Sequence, residues 1–190
     1  MLINFENLSE QKKYKYMSNS IFPRPIAWIS SEDEKIINLA PFSYFSPLSS
    51  EPPLVIVSIA TKDDGSQKDT FANIVKTQKC VINLAHKELL GDLINSAQDL
   101  PKTQSEADFF GIEMNYLIDN FPPMVKNAQC ALFCRLYDIL KINETYQPLI
   151  LKIESLFIND DCVDEKNHFQ LDNIGRAGMN FLGDCQLLKN

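Results

Sequence analysis

The chain has 190 residues, of which 45% are hydrophobic and 23% are charged. This composition is typical of a globular protein and excludes a disordered or fibrous chain, and the length corresponds to about one domain. Lysine and arginine total 18 against 25 aspartates and glutamates, which gives a formal net charge of -7. Such a surface repels phosphate backbones and anionic lipids on average, so we expect neither a nucleic-acid partner nor a membrane partner. A local cationic pocket for one small anion remains compatible with this charge.

The chain start and the cysteines predict a cytoplasmic protein. The first residues show no basic segment followed by an apolar one, and no stretch reaches the ~18 apolar residues that a bilayer span requires. The five cysteines are an odd number without a CxxC pair, so we expect reduced thiols rather than disulfides.

The first predicted element is a short helix. Asn7 followed by Glu10 resembles a capping box, and the polar run that follows can form an amphipathic helix to about Ser18. We therefore expect a lead-in helical segment over residues 1–20, followed by one domain over residues 21–190.

Strand patterns follow the lead-in segment. Residues 24–31 and 36–40 flank a polar tip, which predicts a β-hairpin. Residues 41–53 combine prolines and serines with aromatic side chains, which is unusual for a merely solvated loop. Residues 54–60 form a near-continuous β-branched run, which favours a strand that is covered on both faces.

The middle of the chain alternates between helical and strand character. Asp69 is the predicted N-cap of a helix that extends through Gln78, and residues 80–85 return to strand character. Apolar residues at helical spacing predict a further helix within residues 89–97. Residues 101–127 show no regular pattern.

Two long strands are predicted near the end of the chain, over residues 129–140 and 148–158. In the first, a period of two places four side chains on one face. They are Cys130, Leu132, Cys134 and Leu136. At least six strands with three helices, and no regular βαβ alternation, predict a mainly β fold with flanking helices and an antiparallel barrel.

The usual catalytic signatures are missing from the sequence. It contains no GxGxxG, P-loop, HExxH or GxSxG motif. His86 and His168 are the two histidines, and their isolation favours structural roles. Cys130 and Cys134 lack a nearby histidine, so we interpret them as core residues. The sequence therefore predicts no metal site and no catalytic acid, base or nucleophile.

Two segments nevertheless have the chemistry of a binding site. Residues 38–50 offer hydroxyls, backbone amides and aromatic faces to a flat heterocycle, although a proline-stiffened connection explains the same composition. Lys68, Asp69 and Thr70 stand at a predicted helix N-terminus, whose free amides suit a phosphate, although ordinary capping explains them equally.

The order of these segments resembles a known family. Read together, RPIAWISS, NLAPFSYFSPLSSEPP, KDTFANI and IGRAGMNF are similar to the flavin reductase-like family, which includes flavoredoxin, and the resemblance runs across residues 21–181. It implies an FMN-binding split β-barrel, usually a homodimer. It also implies that bound FMN takes electrons from NAD(P)H and passes them to a flavin or a protein acceptor. A non-enzymatic FMN electron carrier and a barrel without flavin are the alternatives.

The resemblance also implies a set of cofactor-binding residues. They are Arg24, Ser30, Asn38, Ser43, Tyr44, Phe45, Ser46, Ser58, Lys68, Asp69, Thr70 and Arg176. Lys68, Asp69 and Thr70 correspond to the phosphate end of the family's site. Each residue also has a structural interpretation, such as core packing for Phe45. Ala177 and Phe181 depart from the family pattern, which usually has glycine and tyrosine there.

Overall fold

The computed structural model describes residues 1–184. Within them, four α-helices flank a mainly β structure. The helices are α1 (Glu10–Ser20), α2 (Asp69–Thr77), α3 (Leu90–Asn95) and α4 (Glu106–Phe110). In this part of the chain no helix is long and apolar enough to span a bilayer.

The strands range from two residues in β1 to ten residues in β9 and β10. They are β1 (Arg24–Pro25), β2 (Ala27–Asp33), β3 (Ile36–Phe42), β4 (Phe45–Ser50), β5 (Pro53–Val57), β6 (Lys79–Leu84), β7 (Met114–Asn115), β8 (Met124–Val125), β9 (Cys130–Ile139), β10 (Leu149–Ile158), β11 (Gly175–Ala177) and β12 (Asn180–Leu182). One sheet has the order β3-β2-β6-β9-β10-β5-β4, and all its pairs are antiparallel. Two small sheets join β1-β11-β12 and β7-β8. The predicted antiparallel, mainly β class is confirmed.

The central strands of the large sheet bury both of their faces. Successive residues of β2 point to opposite sides, so Trp28 joins one buried cluster and Ile29 joins the other. The first cluster is covered by α3, α4 and the chain that follows α4, with Leu93 fully buried. The second is enclosed by β5, β10 and α2, whose Phe71 and Ile74 point inward. Burial of each such side chain contributes roughly 1.5–3 kcal/mol, which holds the sheet against both layers.

Two helix starts differ from the predicted ones. Ser9 rather than Asn7 is the N-cap of α1, and its Oγ accepts a first-turn backbone hydrogen bond at 3.4 Å. Lys68 rather than Asp69 is the N-cap of α2. Asp69 is the first helical residue, and its carboxylate accepts a hydrogen bond from Lys62 Nζ at 3.0 Å instead of capping the helix.

The predicted hairpin is confirmed, and its turn needs no glycine. Glu34 and Lys35 both have positive φ, 49° and 69°, as in the turns that match strand twist. Residues 41–53 are not a simple loop, because β3 continues to Phe42 and β4 pairs with β5. β4 is an edge strand, a position that tolerates Pro47. The stretch 101–127, which shows no sequence pattern, contains α4 and the short β7–β8 pair.

Candidate functional site

A large cavity of about 910 Å³ opens beside the β3–β4 connection, a size suited to a small-molecule cofactor. Its walls come from α1, β3, the start of α2, the end of α3, and the chain around β11 and β12. Eight of the twelve predicted site residues line it. They are Asn38, Ser43, Tyr44, Ser58, Lys68, Asp69, Thr70 and Arg176. The fold thus brings together residues that are up to 138 positions apart, from Asn38 to Arg176.

One end of the cavity is built on the N-terminus of α2. Thr70 is almost fully buried, and its Oγ1 accepts a hydrogen bond from Asn38 Nδ2 at 2.7 Å. This bond fixes the first turn of α2 against β3. Lys68 Nζ lies 3.4 Å from the Asp99 carboxylate, and Lys62 Nζ lies 3.0 Å from that of Asp69. Helix-terminal amides and two lysines are groups that suit an anion, so we name this part of the cavity the anion-binding end.

The other end of the cavity is aromatic. Tyr14 of α1 stacks on Tyr44 with ring centroids 5.9 Å apart and planes inclined by 26°. Burial raises the pKa of Tyr44, and the nearby Tyr14 raises it further, while Arg24 acts in the opposite direction. Tyr146 donates a hydrogen bond to Glu10 at 2.7 Å, which is the main reason why its pKa rises to about 12. Both phenols therefore remain neutral donors near pH 7.

Arg176 and Phe181 close a further side of the cavity. The Arg176 guanidinium carbon lies 4.3 Å from the centroid of the Phe181 ring, which is a cation–π contact. These two residues belong to β11 and β12, and β11 pairs with β1. The aromatic residue that departs from the family pattern therefore supports the arginine through its ring face, with no hydroxyl required.

Four predicted site residues lie outside the cavity lining. They are Arg24, Ser30, Phe45 and Ser46. Arg24 is buried and donates to the carbonyls of Ser18, Ile21 and Gly178. Ser30 is buried and donates to the Pro123 carbonyl at 2.5 Å.

On β4, Phe45 packs on the second buried cluster, whereas Ser46 is exposed. The Ser46 hydroxyl donates to the Pro47 carbonyl at 3.2 Å. Cofactor contact by Arg24, Ser30, Phe45 and Ser46 stays a prediction.

Sequence reasoning missed one buried acid in the cavity, Glu106. It is the first residue of α4, and its carboxylate accepts a hydrogen bond from the Leu39 backbone N–H at 2.9 Å. Burial raises its pKa, and the neighbouring carboxylates of Asp69 and Asp99 add to the rise. No local motif identifies Glu106, because its role depends on the contact between α4 and β3.

Sequence reasoning also gave no functional role to α1. Four of its residues line the cavity, at positions that a helix places on one face. They are Glu10, Lys13, Tyr14 and Met17. The helical spacing of these four positions was the signal in the sequence that could have identified this face of α1.

The histidines and the described cysteines lie away from this cavity. His86 is buried, while His168 is exposed with Nδ1 3.0 Å from the Asp164 carboxylate. Cys80, Cys130, Cys134 and Cys162 are free and buried. Burial raises the pKa of Cys80 to about 12 and of Cys130 to about 11, so their thiols are protonated and poorly nucleophilic near pH 7. Cys185 lies outside the described residues, and residues 1–184 contain no cluster of three or more metal-binding side chains.

Comparison with known proteins relates the chain to one family. Residues 17–173 match the family described as a flavin reductase like domain. An uncharacterized protein of Deinococcus radiodurans is 33% identical over 181 residues, which cover 90% of this chain and 79% of that protein.

Solved structures extend the likeness to the whole fold. Nitrilotriacetate monooxygenase component B from Bacillus cereus is 26% identical, with a TM-score of 0.91 over 100% of this chain and 98% of that one. The 2-nitrobenzoate 2-nitroreductase NbaA of Pseudomonas fluorescens has a TM-score of 0.90 at 24% identity, and the match covers 100% of this chain and 95% of that one.

The chain therefore belongs to the flavin reductase-like family, and its fold is a split barrel. The resemblance that its motifs indicate is confirmed. Membership in this family supports a flavin-related oxidoreductase function.

Proposed function

We propose that the protein is an FMN-binding oxidoreductase of the flavin-reductase type, which passes electrons from NAD(P)H through bound FMN to a flavin or another acceptor. The observation that carries this proposal is the cavity, in which eight predicted residues meet between an anion-binding end and an aromatic end. FMN has a matching arrangement, with a phosphate at one end and a flat ring system at the other.

The residues at the anion-binding end fit a phosphate. Lys68 supplies a mobile ammonium group, because its present partner Asp99 is largely exposed. The first-turn amides of α2 supply donors, and the Asn38 bond keeps Thr70 in place beside them. Charge-assisted hydrogen bonds to a phosphate are among the stronger contacts that a protein makes.

The residues at the aromatic end fit the ring system. Tyr44 offers a ring face, while the hydroxyls of Ser43 and Ser58 line the same cavity and can meet the polar edge of a heterocycle. The Ser58 backbone N–H donates to the Tyr44 carbonyl at 2.8 Å, which ties the two segments together. Arg176 adds a positive charge, and its stack on Phe181 limits its freedom of movement.

FMN supplies the hydride and electron chemistry when it is bound, so the protein needs no catalytic acid or base. The protein's task is to bind and orient the cofactor and to leave room for a reduced nicotinamide. We assign no side chain to a catalytic role, since the cavity holds no histidine or cysteine among the described residues.

We also propose a cytoplasmic homodimer with FMN close to the subunit interface. Several large apolar side chains are exposed on strands of the large sheet, including Leu48 on the edge strand β4, Tyr137 on β9 and Leu156 on β10. Exposed apolar area of this kind marks interaction surfaces. Light scattering should give twice the chain mass, and a purely monomeric protein at micromolar concentration would contradict this part. The division into a lead-in segment 1–20 and a domain 21–190 stays a prediction. Helix α1 belongs to that lead-in segment, and it lines the cavity together with the domain.

The test of the function has two steps. FMN titration should give saturable quenching of flavin fluorescence at micromolar concentration; a colourless protein without quenching would favour a flavin-free barrel. Anaerobic stopped-flow mixing with NADH and with NADPH should then bleach the bound flavin faster than free FMN. If dithionite bleaches it and neither dinucleotide does, the non-enzymatic electron carrier replaces the reductase.

A further inference from the structure

Helix α1 contributes to the cavity more than to the core. Of its eleven residues only Ser18 is buried, so apolar packing does not explain its position. The face with Glu10, Lys13, Tyr14 and Met17 nevertheless lines the cavity. The helix is held there by the Tyr14–Tyr44 stack and by the hydrogen bond from Tyr146 to Glu10.

The charged groups of the cavity are unevenly committed. Its cations are Lys13, Lys62, Lys68 and Arg176. Lys62 and Lys68 form ion pairs with carboxylates beside α2. Among residues 1–184, neither Arg176 nor Lys13 forms an ion pair. Arg176 is stacked on the Phe181 ring, whereas the Lys13 side chain is half-buried on α1 without a carboxylate partner. The cavity therefore carries a second cationic position, on a different element from the phosphate end.

The expected substrate needs such a position. A reduced nicotinamide dinucleotide carries a pyrophosphate, whereas the protein has a net charge of -7 and repels anions on average. With FMN bound, the α2 end is occupied by the cofactor phosphate. A cation elsewhere on the cavity wall is then needed for the second anion.

We propose that the Lys13 ammonium docks the pyrophosphate of NAD(P)H at the α1 side of the cavity. This inference rests on the proposed function and names the residue that receives the substrate's anionic part. Lys13 acts on binding rather than on hydride transfer, because the pyrophosphate lies remote from the reacting atoms. Removal of its charge should raise KM and leave kcat unchanged.

The chain offers matched controls on the same helix. Lys12 and Lys15 have the same charge but are exposed, and neither lines the cavity. Lys13→Ala, Lys13→Gln, Lys12→Ala and Lys15→Ala should all retain the fold, since alanine and glutamine are good helix formers. FMN affinity is measured first for every variant and should equal that of the wild type.

The experiment then compares two hydride donors on the FMN-loaded proteins. One is NADH or NADPH; the other is 1-benzyl-1,4-dihydronicotinamide, an uncharged donor without a pyrophosphate. Both Lys13 variants should raise KM for the dinucleotide about ten-fold, as expected for one charge-assisted contact, and leave the rate with the uncharged donor unchanged. The difference from wild type should shrink as salt concentration rises.

The possible failures are distinguishable. Equal KM values for the Lys13, Lys12 and Lys15 variants, with a normally reducible wild type, would overturn the docking role alone. Weaker FMN binding in the Lys13 variants would also overturn it, because Lys13 would then belong to the cofactor's own site. A wild type that the uncharged donor reduces and neither dinucleotide reduces would overturn both this inference and the proposed function.

Discussion

Replacement of Lys68 by methionine tests the phosphate end of the site most directly. Methionine keeps most of the aliphatic stem and removes only the charge. In the structure Lys68 Nζ lies 3.4 Å from Asp99, whose side chain is 84% exposed. An exposed pair of this kind contributes only ~0.2–1 kcal/mol, so Lys68 can exchange Asp99 for a phosphate at little cost.

The expected loss follows from the two contacts. A charge-assisted hydrogen bond to a phosphate contributes roughly 1.5–3 kcal/mol. After the exposed ion pair is subtracted, about 0.5–2.8 kcal/mol remains, which corresponds to about 2- to 110-fold weaker FMN binding. Riboflavin has the same ring system without the phosphate, so its affinity should not change.

The assay is a titration of flavin fluorescence with FMN and with riboflavin. Lys126→Met is the matched control, because Lys126 forms a similar exposed pair with Glu113 at 3.1 Å outside the cavity. Asp99→Asn frees Lys68 and should leave FMN binding unchanged or make it tighter. A Lys68→Met variant that weakens FMN and riboflavin equally would refute the assignment of Lys68 to the phosphate.

Three further predictions concern two residues that line the cavity, Thr70 and Glu106, and the turn between β11 and β12. Thr70→Val leaves the buried Asn38 amide without its partner, so the free energy of unfolding should fall by about 1–3 kcal/mol in chemical denaturation and FMN should bind more weakly; unchanged stability would contradict the role of this bond. The raised pKa of Glu106 means that the folded state binds this proton more tightly than the unfolded state, so the protein loses stability as the pH rises from about 4.5 through the raised pKa. Glu106→Gln cannot lose a proton, so thermal melts should show the variant gaining stability relative to the wild type over that interval. A difference that does not change with pH would contradict this. Gly178→Ala should lower the melting temperature, because φ is +55° and the new Cβ would collide with the Asn19 side chain. The double variant Gly178→Ala with Asn19→Ala should recover only the part of the melting temperature that the collision removes. Full recovery would show that the backbone angle costs nothing.

Local sequence patterns were sufficient to predict the elements whose formation depends mainly on their own residues. The hairpin of β2 and β3 and the long strands β9 and β10 follow from alternation and a polar turn, and their bounds lie within a few residues of the predicted ones. Helix starts were less accurate, because Ser9 and Asn7 are both suitable caps and only the backbone geometry selects one. The edge strand β4 was missed because Pro47 argues against a strand unless the pairing partner is known.

The site shows the same limit at longer range. The motifs identified eight residues that line one cavity, because the segments that carry these motifs form part of the cavity wall. Glu106 and Lys13 belong to segments without any recognisable motif, and they reach the cavity only through the packing of α4 and α1. A single sequence contains the residues of such contacts but no local signal of their proximity.

Arg24 shows how a motif residue can serve a site without lining its cavity. Its guanidinium is buried, and burial of a charge is costly unless its donors are satisfied. Here Nη1 and Nη2 reach the carbonyls of Ser18 and Ile21 at the end of α1 and of Gly178 in the turn between β11 and β12, whereas Nε is buried without a hydrogen-bond partner among the described residues. The Tyr44 ring centroid lies 5.9 Å from the guanidinium carbon. One charge thus joins α1, the strand pair that carries the second cation–π contact, and the aromatic end of the cavity. The relative position of three walls therefore depends on a residue that the family resemblance assigns to the cofactor itself.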